Sequence, residues 1–211
     1  MRRGVGRILL FLPSLLWVGA ICYFEGIYSF LMVALAALFH ECGHLLAFSL
    51  LGLPAPKVVP VARGVRLAAG RGLSYREELL IALAGPLANG ICFLAGLIFG
   101  GENPALAAFG EVSLMTALCN LAPIETLDGA RILTCLLAPH LSDRALFVTR
   151  KIVGWVALYL GLVGSLLILW LTGGGTYTAF LCLGALLMLP CGNSSEEKRG
   201  FKRKREDSGD F

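Results

Sequence analysis

Long apolar runs joined by short polar connections make up most of this chain, and they admit very few folds. The runs cover about 8–23, 27–53, 79–99, 105–138, 152–171 and 177–189. A helix needs roughly 20 apolar residues to cross the hydrocarbon core of a bilayer. No water is available there, so every backbone N–H and C=O must be satisfied within the protein, and only helices or closed barrels span. The chain is 57% hydrophobic and 15% charged, against about 25% charged in soluble domains. An all-α polytopic membrane protein with about six transmembrane helices is expected, with no room for a sizeable soluble domain.

Into the second run falls His40-Glu41-Cys42-Gly43-His44, an H-E-x-x-H pattern. Two histidines four apart lie on one face of a helix, where both imidazoles reach one Zn²⁺ and the intervening glutamate can work on a water at the metal. Ionisable groups inside an apolar span are expensive and rare, and by default they mark function. The chain has only three histidines, and His140 stands apart from this motif. For the motif to be merely structural, His40, Glu41 and His44 would have to satisfy one another within the bilayer.

A catalytic zinc site normally takes three protein ligands. The fourth run is interrupted by Asn120-Leu121-Ala122-Pro123-Ile124-Glu125-Thr126-Leu127-Asp128-Gly129-Ala130-Arg131, which predicts a broken fourth helix lining a protein-enclosed cavity. Asp128 is favoured as the third ligand, because Gly129 flanks it and Arg131 can pair with it. Glu125 and Glu111 compete. The third run carries Ala84-Gly85-Pro86-Leu87-Ala88-Asn89-Gly90, small and helix-breaking residues that suggest close contact with protein neighbours instead of lipid. Between the second and third runs, Lys57–Val61 and Gly64–Leu67 are compatible with a short β-hairpin at the membrane surface.

Lysine and arginine set the orientation. All 18 fall on the N-terminal segment, the 54–78 connection, the 131–151 connection and the tail. The alternate connections carry none, which under the positive-inside rule places both termini of a multi-pass cell-membrane protein in the cytoplasm. Met1-Arg2-Arg3 before an apolar run resembles a secretory signal, but no small-x-small cleavage site follows, so a retained span is expected. The seven cysteines lie in or beside apolar runs without a C-x-x-C pair and read as packing residues. Cys42, at an x position, points away from the histidines.

His40-Glu41-Cys42-Gly43-His44, Gly85-Pro86-Leu87-Ala88-Asn89 and the Asn120–Arg131 stretch occur in this order. Together they resemble the site-2 protease family of intramembrane zinc metalloproteases, over about residues 30–135. The six-span layout without an inserted PDZ domain is most similar to the branch containing the sporulation factor IVFB proteases, which process a membrane-associated sigma-factor precursor. The resemblance implies one Zn²⁺ held by His40, His44 and Asp128, Glu41 as general base, and Asn89 and Asn120 lining the substrate cleft. A membrane protease domain is expected at 1–191, with its metal core at about 27–138, and the polar, mixed-charge composition of 192–211 predicts a disordered cytoplasmic tail. The family usually has proline before Leu-Asp-Gly, where this chain has Thr126 preceded by Glu125. The tail is too short for the CBS domain that IVFB-type enzymes often carry, so nucleotide control within this chain is not expected.

The partner expected is a membrane-associated protein substrate. An inhibitory membrane partner and a second copy of the chain are left open, and no nucleic acid is implied. Two other classes compete. A transporter would use the same three residues as a transit site, but no internal repeat accompanies the single broken run, and Glu41 would have no task. A silent scaffold would not need all four residues.

Overall fold

The computed structural model describes residues 2–54, 56–61, 64–68, 72–125 and 127–172. The sixth apolar run and the tail lie outside them. The described chain is mostly helical. Helix α1 covers Arg2–Leu50 and is broken at Gly26, whose φ of 77° and ψ of 170° belong to a region open to glycine. The sequence break at Glu25-Gly26 is therefore a bend between two helical stretches. Lys57–Val61 (β1) and Gly64–Ala68 (β2) pair antiparallel, from Lys57 opposite Ala68 to Val61 opposite Gly64.

Helix α2, Tyr75–Phe99, starts at a capping box: Ser74 accepts from the Glu77 amide while the Glu77 carboxylate accepts from the Ser74 amide. Helix α3, Pro104–Leu121, starts at Asn103, whose side chain accepts from the amides of Ala105 and Leu106. Helix α4, Asp128–Leu137, and helix α5, Asp143–Thr172, complete the described elements. The fourth apolar run is thus two helices, one ending at Leu121 and the other starting at Asp128. Among the described residues, four helical stretches are long and apolar enough to cross a membrane: Gly26–Leu50, Tyr75–Phe99, Pro104–Leu121 and Asp143–Gly164. The chain is a membrane protein.

Helix α2 is the centre of the bundle and packs against α1, α3 and α4. Its buried stripe is Ile81, Ala82, Gly85, Pro86, Asn89, Cys92 and Gly96, while Leu87, Ile91, Leu94, Leu97 and Ile98 face outward. Small and polar inside with large and apolar outside suits a bundle in lipid, where close backbone approach supplies the packing energy. The glycines show how close that approach is. A Cβ at Gly96 would lie 2.8 Å from the Gly110 Cα and 2.8 Å from the Leu106 oxygen. The α2–α3 seam continues into a cluster of Ala36, Cys92, Phe109 and Val112, which joins α1 to both.

Gly96→Val should therefore overpack this seam and destabilise the protein by about 1–3 kcal/mol. Thermal melting of the purified chain in detergent, compared with Gly161→Val on open surface, checks this; equal melting of the two variants contradicts the packing assignment.

Candidate metal centre

Helix α1 presents His40 and His44 on its buried face, each 5% exposed, while Glu41 and Cys42 are exposed. The ring centroids are 4.7 Å apart with the planes perpendicular. Asp128, 7% exposed, reaches them from the first turn of α4. Its Oδ2 lies 2.9 Å from His40 Nε2 and 3.1 Å from His44 Nε2, and the two Nε2 atoms are 3.2 Å apart. Tetrahedral zinc with bonds of 2.0–2.1 Å would set its ligand atoms about 3.3 Å apart. Among the described residues these three form the group of metal-ligating side chains able to hold an ion.

The protonation logic fits a cation. His44 Nδ1 lies 2.7 Å from the Ile81 carbonyl oxygen, which can only accept, so Nδ1 carries the proton. In neutral His44 the Nε2 lone pair then points at the Asp128 carboxylate and at His40. Two acceptors 3.1 Å apart need positive charge between them. A proton on one nitrogen relieves one contact; a divalent ion relieves all three. A second hydrogen bond that fixes the ring and tautomer of a liganding histidine is a recurrent feature of metal sites. Asp128 is held likewise: its Oδ1 accepts from Arg131 Nη1 at 3.0 Å, one helical turn along α4, and Arg131 Nε lies 3.8 Å from Glu78 Oε1 on α2.

Three glycines allow this convergence. A Cβ at Gly85 would lie 2.6 Å from His44 Nε2 and 2.7 Å from His40 Cε1, so only glycine lets α2 cross the imidazole pair. One at Gly43 would lie 2.5 Å from the Ala84 oxygen and 2.8 Å from the Ala88 Cβ. One at Gly129 would collide with the carbonyl oxygens of Leu121 and Ala122 at the end of α3, so glycine beside Asp128 lets α4 fold back against α3.

Of the residues singled out in the sequence, His40, His44 and Asp128 come together. Glu41 stands beside them on the exposed side of α1 and takes no part in their hydrogen bonding. Glu125 and Glu111 are exposed and outside the group. Asn120 is half-buried, with Nδ2 donating to the Thr116 oxygen at 3.0 Å. Asn89 is 0% exposed. Thr126 lies outside the described residues. Sequence reasoning missed three contributors: the Ile81 carbonyl, Gly85 as the seat for the rings, and Glu78. Gly85 stood in a motif already marked for close packing, but a backbone carbonyl carries no sequence signal.

No protein-family model matches the chain, and no curated protein does. Among solved structures, the chain is similar to the site-2 protease from Methanocaldococcus jannaschii, with a TM-score of 0.56 and 22% identity over 86% of this chain and 84% of that one. The likeness shows a shared fold over most of both chains.

Gly85→Ala should push the imidazoles apart and weaken Zn²⁺ or Co²⁺ binding at least about 10-fold while the helices still form. Metal titration with circular dichroism on the same samples checks it; unchanged affinity contradicts the seat assigned to Gly85.

Proposed function

We propose that this chain is an intramembrane zinc metalloprotease of the site-2 type, a multi-pass protein with both termini cytoplasmic. It hydrolyses a peptide bond in or beside a transmembrane or membrane-associated segment of a regulatory protein. The observation that carries this reading is the convergence of His40 Nε2, His44 Nε2 and Asp128 Oδ2 at 2.9–3.2 Å within a membrane bundle, next to the exposed carboxylate of Glu41. The shared fold with a solved site-2 protease supports it, and the three motifs in order support it from the sequence side.

His40, His44 and Asp128 would hold one Zn²⁺, which when bound supplies a Lewis acid that polarises the scissile carbonyl and makes a water acidic enough to lose a proton near neutral pH. Glu41 would act as the general base for the attacking water and return the proton to the leaving amine. The Asn120 amide has two N–H groups. One is used within α3, and the other is available to the developing oxyanion or the substrate backbone.

A helical substrate hides its carbonyls in its own hydrogen bonds and must unwind before attack. The basic 54–78 connection, with the ribbon of β1 and β2, would hold the unwound segment by strand addition. Six spans, with the sixth apolar run completing a membrane domain at 1–191 ahead of a charged cytoplasmic tail at 192–211, and cleavage of a sigma-factor precursor as in the sporulation factor IVFB branch belong to the same reading.

The decisive experiment compares wild type and Glu41→Gln on a membrane-tethered sigma-factor precursor, with zinc assayed on both. Cleavage should fall by about 10²–10⁴-fold with zinc retained. Cleavage by both proteins removes Glu41 as base, and a well-folded wild type that takes up no zinc overturns the reading. Replacing Lys57–Val61 by a flexible linker should weaken cleavage and leave zinc in place; undiminished cleavage would remove the strand-addition role.

A further inference from the structure

Three buried side chains near the metal centre have polar atoms with no hydrogen-bond partner: His40 at Nδ1, Asn89 at both Nδ2 and Oδ1, and Ser113 at Oγ. Asn89 and Ser113 are 0% exposed and His40 is 5% exposed. Burying an amide or hydroxyl without a partner costs about 1–3 kcal/mol, so each such group calls for an explanation.

The helices bring these three groups to one seam. Gly85 on α2 lies against the His40 and His44 rings. Two turns on, Cys92 shares a cluster with Ala36, which is one turn before His40 on α1. Asn89 lies between Gly85 and Cys92 on the same buried stripe, hence between the levels of His40 and Ala36. On α3, Phe109 and Val112 belong to that cluster, and Phe109 also packs against Phe39 with ring centroids 5.7 Å apart. Ser113 follows on the same buried face.

We infer that Asn89 is a positioning residue for His40 and does not touch substrate. One buried water, bonded also to Ser113 Oγ, connects His40 Nδ1–H to Asn89 Oδ1 and gives His40 the anchoring that the Ile81 carbonyl gives His44. A water with two to four polar partners is the ordinary way to satisfy buried groups that do not reach one another. His40 Nδ1 then carries its proton, and Nε2 presents its lone pair to the metal. Complete burial keeps Asn89 from a substrate backbone, so the cleft role implied by its motif passes to Asn120 or to groups elsewhere. The inference rests on the metal reading of this site.

The test is a Co²⁺ titration of the full chain in detergent, followed by d–d absorption, on wild type, Asn89→Leu and Asn89→Asp. Loss of a partner that orients a liganding histidine typically lowers metal affinity about 10–100-fold. Asn89→Leu should show that loss, and its metal-free melting is measured alongside, because removing the amide leaves the buried bridge one acceptor short. Asn89→Asp keeps the acceptor and should bind Co²⁺ within about 3-fold of wild type, given that a carboxylate also serves as partner to a liganding histidine. Wild-type affinity in Asn89→Leu overturns the inference and leaves the metal centre standing; no Co²⁺ binding by wild type overturns the metal centre itself. Should Asn89→Leu melt below wild type, the ¹⁵N resonance of His40 Nδ1 decides, and only three histidines need assignment. A shift between wild type and Asn89→Asp supports the bridge, and an unmoved resonance overturns it.

Discussion

The structure depends on one close approach, that of α2 to the imidazole face of α1. Gly43 and Gly85 set it: each position places a would-be Cβ at 2.5–2.8 Å from atoms of the other helix. Only at this separation can the Ile81 carbonyl accept from His44 Nδ1 while the rings stay buried. In lipid, apolar side chains gain little by leaving the solvent, so helices associate through van der Waals packing and interhelical hydrogen bonds. The crossing supplies both, and the polar site forms part of what holds α1 to α2.

The second half of the centre has a different physical origin. Asp128 arrives on a separate short helix, because α3 ends at Leu121, α4 starts at Asp128, and Gly129 permits the return against the carbonyls of Leu121 and Ala122. A carboxylate in the first turn of a helix is favoured by the unpaired amides there. Arg131 holds one oxygen of that carboxylate and approaches Glu78 on α2, tying the short helix to the central one. This charge network is only partly buried, and its value lies in orientation more than in net stability.

Much of this was legible in the sequence. The apolar runs dictated membrane helices, and the H-E-x-x-H spacing dictated two histidines on one face. Asp128 stood only modestly ahead of Glu125 there, because the two lie three residues apart and everything depends on where α4 begins. A start at Asp128 turns it inward and leaves Glu125 exposed in the preceding turn. The fourth run read as one interrupted span because hydrophobicity does not record a change of direction. The packing of Gly-Pro-Leu-Ala-Asn against protein was readable, but the burial of Asn89 was not, since it follows from the rotation of α2 against α1 and α3 together.

Under the proposed function, the contrast between tied and untied groups would account for a division of labour between metal ligands and general base. His44 is fixed through Nδ1 and Asp128 through Oδ1, which leaves the inward atoms of both to face a cation. A ligand must hold one orientation while the charge beside it changes, and a hydrogen bond on its far side does that. A general base has the opposite requirement. It must accept a proton, carry it and release it, which calls for freedom to move. Glu41, one residue along α1, is rotated off the buried face and stays exposed beside two buried histidines. A single helical turn thus supplies two buried imidazoles and one exposed carboxylate, because the step from 40 to 41 moves about 100° around the helix and the step from 40 to 44 returns to the same face.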